Sequence, residues 1–147
     1  MSTDLATATN HQIRLAARPV GLPKDSDWSF TEEPVSLPAD GGVLVRSTHL
    51  SLDPAMRGWM NEGKSYIPPV GLGEVMRAGG VGRVIESNDP GVEVGATVVG
   101  LTGVQDYATL KAGQVNQVDP RLAPLPRYLG ALGMPGMTAY FGLLDIC

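Results

Sequence analysis

Few side chains in this sequence could do acid–base, nucleophilic or metal chemistry: two histidines, His11 and His49, one cysteine, Cys147, and a handful of hydroxyls and carboxylates. A zinc site needs four ligands, mostly thiolates and imidazoles close together in sequence. His11, His49 and Cys147 have no such neighbours, so no metal is expected. His49, Ser51, Asp53 and Tyr66 can be drawn as a hydrolytic constellation, yet no Gly-x-Ser-x-Gly elbow surrounds Ser51. Asp53 stands before Pro54 and reads as a strand cap that bonds nearby backbone amides. Tyr66 and Tyr107 read as packing residues with one hydrogen bond each.

Two glycine-rich stretches imitate nucleotide loops. Gly58 to Ser65 fits the pattern G-x-x-x-x-G-K-S, but a phosphate loop must open a helix, and Pro68-Pro69 forbids one there. Ala78-Gly79-Gly80-Val81-Gly82 fails the dinucleotide spacing because position 85 is Ile. Its glycines read instead as places where a strand bends or a ligand approaches the backbone.

The elements that must position these residues are short. Among 147 residues are 19 Gly and 12 Pro, which favours many small elements joined by tight turns over a few long helices. The net charge is -4, with Lys and Arg scattered, so no basic stripe exists for nucleic acid. No apolar run is long enough to span a bilayer, and no signal peptide or glycosylation sequon is present. A cytoplasmic location is therefore the default expectation.

Met1 to Asn10 reads as a mobile tail, and Gln12 to Arg18 as a strand stopped by Pro19. Val20 to Asp40 reads as loop, anchored to the core by Trp28 and Phe30. Val43 to Leu52 is the clearest strand. One helical turn is predicted over Ala55 to Met60, with Pro54 at its start. Further strands are predicted over Glu74 to Ser87, Thr97 to Leu101, Val104 to Lys111 and Gln114 to Val118. That spacing suggests a small barrel or sandwich. Tyr128 to Leu132 and Met137 to Ile146 read as helices, with Met134 and Thr138 as core and cap residues of the second. No cap follows Ile146, so the chain is expected to break off inside a longer protein.

Four ordered blocks then carry a resemblance: Leu50-Ser51-Leu52-Asp53-Pro54-Ala55-Met56-Arg57-Gly58, Ser65 to Pro69, Leu72 to Val84, and Leu132 to Leu143. Together they resemble the leukotriene B4 dehydrogenase, prostaglandin reductase and alkenal or curcumin reductase branch of the zinc-independent medium-chain dehydrogenases/reductases. The match runs from about position 12 to the end.

The resemblance implies a mainly β fold with a few short helices: a GroES-like, partly open β-barrel whose C-terminal helices lead toward a Rossmann domain. It divides the chain into a disordered tail over 1–11, the GroES-like domain over 12–125 and a helical connection over 126–147. It implies NADPH-dependent reduction of the C=C bond of enones, enals or quinones, without metal. It assigns Pro54, Met134 and Thr138 to the cofactor, Ser51 and Tyr66 to the substrate, and no catalytic residue to this part of the chain. Homodimers are implied only for the longer protein. Ala55 stands where the family usually has Tyr, implying a roomier site. The rival readings are a stand-alone β-barrel for binding or assembly, which would bury its last helices, and a relative of zinc alcohol dehydrogenases.

Overall fold

The computed structural model describes residues 5–63 and 65–146. Residues 1–4, Lys64 of the phosphate-loop-like stretch and Cys147 lie outside the described residues.

Among the described residues, seven strands and two α-helices follow in order: β1 (Thr9–Leu15), β2 (Trp28–Pro34), β3 (Gly42–Leu50), α1 (Ala55–Trp59), β4 (Gly80–Ser87), β5 (Thr97–Gly100), β6 (Tyr107–Lys111), β7 (Val115–Gln117) and α2 (Met134–Phe141). Strands β3 to β7 form one antiparallel sheet in the order β6-β3-β4-β5-β7. The sheet curls into a half-barrel, the mainly β architecture expected from the sequence. Strands β1 and β2 form a separate antiparallel pair. Single bridges, Gln12 to Gln105 and Arg14 to Val75, join it to the segments that lead into β6 and β4.

Glycine decides how β3 and β4 meet. A Cβ at Gly82 would lie 2.7 Å from Val45 Cγ1 and would strike the Arg46 carbonyl. The register also slips between Ser47 and His49. Close backbone approach, the structural reading of this glycine cluster, is thus what Gly82 permits.

Two apolar clusters hold the chain together. Val43, Val45, Val84, Val92, Val98 and Val115 fill the curl of the large sheet. Leu15, Met56, Met60, Val70, Met76 and Ala78 form the second, with Trp28 and Trp59 packed against it. Each buried aliphatic side chain contributes roughly 1.5–3 kcal/mol relative to exposure. The second cluster matters most for function, because it seats α1 and the residues beside it.

Several expectations need correction. The tail reading fails at Thr9 to His11, which belong to β1. Asn10 drives this: buried, it donates to Gln105 Oε1 at 3.1 Å and the Tyr107 carbonyl at 2.8 Å. A polar residue buried by hydrogen bonds breaks the hydrophobic alternation that marks a strand. At its other end β1 stops at Leu15, since the Ala16 and Ala17 amides turn to the Asp27 carbonyl.

Strand β2 lies in the segment read as loop. Its sequence is mostly polar, and it exists because β1 pairs with it residue by residue, from Thr9–Pro34 to Leu15–Trp28. Trp28 reaches the core as expected, but Phe30 does not; it is 75% exposed. Before β4, Glu74 to Met76 bridge toward β1 rather than extending the strand: Met76 N–H donates to the Ile13 carbonyl at 2.8 Å. The short helix predicted at Tyr128 is a 3-10 turn over Leu125–Leu129, which packs on β3 and β4. Helix α2 starts three residues earlier than predicted, with Pro135 in its first turn, and continues as a π-helical turn over Gly142–Ile146.

Candidate functional site: the hollow beside Pro54

The site grows from the turn that ends β3. Ser51 N–H donates to the Gly79 carbonyl at 2.8 Å, pinning the turn to the approach of β4. Pro54 has φ -54, already helical, and its carbonyl accepts from Arg57 N–H at 3.1 Å. Asp53 does not cap with its carboxylate. Its backbone carbonyl accepts from Met56 N–H at 3.0 Å, and its own amide meets Met56 Sδ at 3.4 Å.

Helix α1 then turns Met56 into the second cluster, with Met60 following it there, and turns Arg57 toward the chain before β2. The Arg57 guanidinium donates to the Pro19 carbonyl at 2.9 Å, twice to the Gly21 carbonyl, and to Asn61 Oδ1 at 2.6 Å. This clamp holds the segment that carries Leu22 and Pro23 against α1.

Between them lies a hollow of about 650 Å³, walled mainly by Leu22, Trp28, Phe30, Leu52, Pro54 and Met76. Its rim is apolar yet uncovered: Leu22 is 85% exposed and Leu52 81%. Large apolar side chains grouped around a cavity mark a surface made to meet something else. Leu22 was not singled out from the sequence, and Phe30 was expected in the core rather than at an open rim. The available signal was bulky apolar residues inside a Pro-rich, otherwise polar stretch.

A second hollow adjoins the first and shares Ile13, Phe30 and Val104 with it. In it His11 Nδ1 and Asp106 Oδ2 are 2.6 Å apart, and His11 Nε2 stands 3.9 Å from Glu32 Oε1. The hydrogen bond to Asp106 raises the His11 pKa from its ordinary 6.5, helped by the charges of Asp106 and Glu32, while desolvation opposes it.

The residues assigned by resemblance are only partly gathered. Ser51 and Pro54 share the turn before α1. Tyr66 does not line the apolar hollow; its hydroxyl oxygen accepts from Trp59 Nε1–H at 3.1 Å, tying it to α1. The Arg77 guanidinium lies 5.5 Å from the Trp59 ring centre and donates to the Pro68 carbonyl, which steadies the loop carrying Tyr66. Met134 is 70% exposed, not core, and Gly133 rather than Thr138 holds the cap position of α2. Thr138 Oγ1 donates back to the Met134 carbonyl at 2.8 Å. Among the described residues, no hydrogen bond joins Met134 or Thr138 to Ser51, Pro54 or Tyr66, and neither lines the hollow beside Pro54.

With this geometry in hand, comparison with known proteins defines the class. A family profile described as the N-terminal domain of oxidoreductase matches residues 11–118, and the chain belongs to that family. Its relatives place it in the alkenal/prostaglandin reductase branch of the medium-chain dehydrogenases/reductases. The NADPH-dependent curcumin reductase of Escherichia coli (strain K12) is 44% identical over 137 residues, covering 93% of this chain and 40% of that protein. The NADP(+)-dependent 2-alkenal reductase of Nicotiana tabacum is 37% identical over 145 residues, covering 95% and 42%. The crystal structure of CurA from Vibrio vulnificus in complex with NADPH superposes with a TM-score of 0.85 at 47% identity, covering 92% of this chain and 40% of that one. The chain therefore spans about 40% of the length of these relatives.

Proposed function

We propose that this chain is the substrate-side domain of an NADPH-dependent reductase that saturates the C=C bond of α,β-unsaturated carbonyl compounds. The observation that carries the reading is the uncovered apolar rim around Pro54: Leu22, Phe30 and Leu52 form a half-built pocket. Helix α2 adds an exposed apolar side at Met137, Tyr140 and Phe141, which a stand-alone module would bury. In this reading a nucleotide-binding domain supplies the opposite wall.

The residues at hand suit the ring end of NADPH and not its phosphates. Apolar walls beside Pro54 accommodate a flat ring and an alkene. The neighbouring guanidiniums are already committed: Arg57 to carbonyls and Asn61, Arg77 to Pro68 and Trp59, and Arg18 to the Met60 and Val70 carbonyls. Bound there, NADPH supplies the hydride that the β-carbon of the substrate receives.

Pro54, Met134 and Thr138 would hold the nicotinamide end, and the apolar walls of the hollow would keep water from the alkene. Tyr66 Oη, accepting from Trp59, keeps its own O–H free to donate to a substrate carbonyl oxygen. The Ser51 hydroxyl can do the same, since its main chain alone is fixed by Gly79. Such a bond draws charge onto the oxygen and strengthens as negative charge develops there. The reaction needs no metal, and the reading places the protein in the cytoplasm. Among the described residues, no group of three His, Cys, Asp or Glu side chains could hold a metal, and no helix is long and apolar enough to cross a membrane.

The test is consumption of NADPH with a simple enone, by this chain alone and by this chain joined to the remaining portion of the E. coli curcumin reductase. Turnover by the joined protein only is expected. Absence of turnover in the joined, folded protein rejects the reading.

A further inference from the structure

A third hollow, of about 710 Å³, lies on the large sheet where β3 and β4 pair, and it shares no lining residue with the hollow beside Pro54. Arg46 and Arg83 both line it. They stand directly opposite one another in the β3–β4 register, so both side chains leave the same face of the sheet. Like charges in that position destabilise a strand pair.

Nothing in the chain offsets them. Among the described residues, neither guanidinium makes a hydrogen bond or an ion pair, and no Asp or Glu lines the hollow. Arg14, Arg18, Arg57, Arg77 and Arg121, by contrast, each donate to an acceptor of the protein. Arg83 also has a defined seat. Gly95, at φ +92, donates its N–H to the Val84 carbonyl at 2.8 Å and so folds the turn before β5 back on β4. A Cβ on Gly95 would stand 3.4 Å from Arg83 Nη2, and the glycine leaves the guanidinium that room. Ser47, on the same wall, has a buried Oγ with no hydrogen-bond partner, a donor left over for a bound oxyanion. Ile85 and Val94 make the other side apolar.

We propose that this hollow binds a small, soluble organic phosphate monoester. Its dianion meets Arg46 and Arg83, whose planar forks match phosphate oxygens, and its organic group lies on Ile85 and Val94. An uncompensated pair of cations suits a dianion better than a carboxylate, and the apolar side favours an ester over inorganic phosphate. The net charge of -4, with Lys and Arg scattered, disfavours an anionic membrane as the source of the phosphate. The proposal is independent of the reductase reading. Both arginines are exposed, so water screens them and binding is weak and salt-sensitive.

The test titrates the full chain with phenyl phosphate, inorganic phosphate and phenol, following backbone amide shifts at about pH 7.5, where the second phosphate proton is gone. Phenyl phosphate should shift Arg46, Arg83, Ile85 and Gly95 and bind about threefold to tenfold tighter than inorganic phosphate. Phenol should leave these amides in place. Arg83→Gln should weaken phenyl phosphate about tenfold without lowering the Tm, because the side chain is exposed and bonded to nothing in the chain. Arg83→Lys should keep part of the affinity. No shift at these residues, equal affinity in Arg83→Gln, or equal shifts with phenol overturns the proposal. Inorganic phosphate binding as tightly as the phenyl ester overturns the assignment to an ester. Co-sedimentation with phosphatidylcholine vesicles containing phosphatidate, reversed by phenyl phosphate, would give the site to a lipid headgroup and overturn the soluble ligand.

Discussion

The guanidinium of Arg57 reaches from α1 to Gly21 and donates to its carbonyl oxygen through Nε at 3.1 Å and Nη2 at 3.0 Å. Gly21 has φ +77, a left-handed conformation that glycine adopts without strain. The pair joins the motif Asp53 to Gly58 to a segment more than thirty residues earlier, and so fixes where Leu22 and Pro23 stand at the rim of the hollow.

Arg57→Ala should therefore loosen the rim more than the fold. The lost bonds are partly solvent-exposed, so about 1 kcal/mol of stability is expected to disappear, seen as a lower urea midpoint. In the protein joined to the curcumin reductase portion, kcat/KM for a simple enone should fall with it. Arg57→Lys should recover only part of either loss, because an ammonium cannot match the planar fork that spans Pro19, Gly21 and Asn61.

Gly82→Ala should be far more damaging. Its Cβ would meet backbone at Arg46 and the Val45 side chain, both fixed inside the β3–β4 pairing. Overpacking of this kind costs about 1–3 kcal/mol. Gly113→Ala is the control, since nothing lies within 4 Å of the added carbon. Thermal unfolding of both variants decides the point; equal melting temperatures would refute the packing argument.

His11 should make stability fall as pH rises. Its pKa is raised from 6.5 by the bond to Asp106, so the folded state holds this proton more tightly than the unfolded chain. The contribution is fully present below pH 6.5 and is lost as pH climbs through the raised folded value. The exposed position of the pair makes the effect small. Following the His11 ring protons by NMR gives the folded pKa directly, and Asp106→Asn should bring it down toward 6.5.

Ala55→Tyr should narrow the site. Ala55 is the first residue of α1, exposed and next to Pro54. In the protein joined to the curcumin reductase portion, the variant should lose kcat/KM for diaryl enones more than for short enals. An unchanged ratio would separate position 55 from substrate choice.

What the sequence revealed follows a physical divide. Strand β3, α1 and β5 were legible because β-branched runs, Pro54 and the turn formers around them act locally. Strand β2 was not, since Ser29 to Glu33 carry little hydrophobic signal and owe their conformation to pairing with β1. The motif around Asp53 to Gly58 announced a site, but not its far wall. Leu22 and Phe30 join Leu52 only through the Arg57 clamp and the β1–β2 register, and both are long-range relations. Thr138 illustrates the limit in the other direction: its spacing suggested a cap, while the helix begins earlier and bends its hydroxyl back on Met134.

The most direct test of the central claim is the fate of deuterium from C4-labelled NADPH. Mass spectrometry and NMR should read it in the enone product made by this chain joined to the curcumin reductase portion. The account predicts one deuterium at the β-carbon and a solvent proton at the α-carbon. Product without label at the β-carbon, or label lost to solvent while the alkene stays intact, would contradict it.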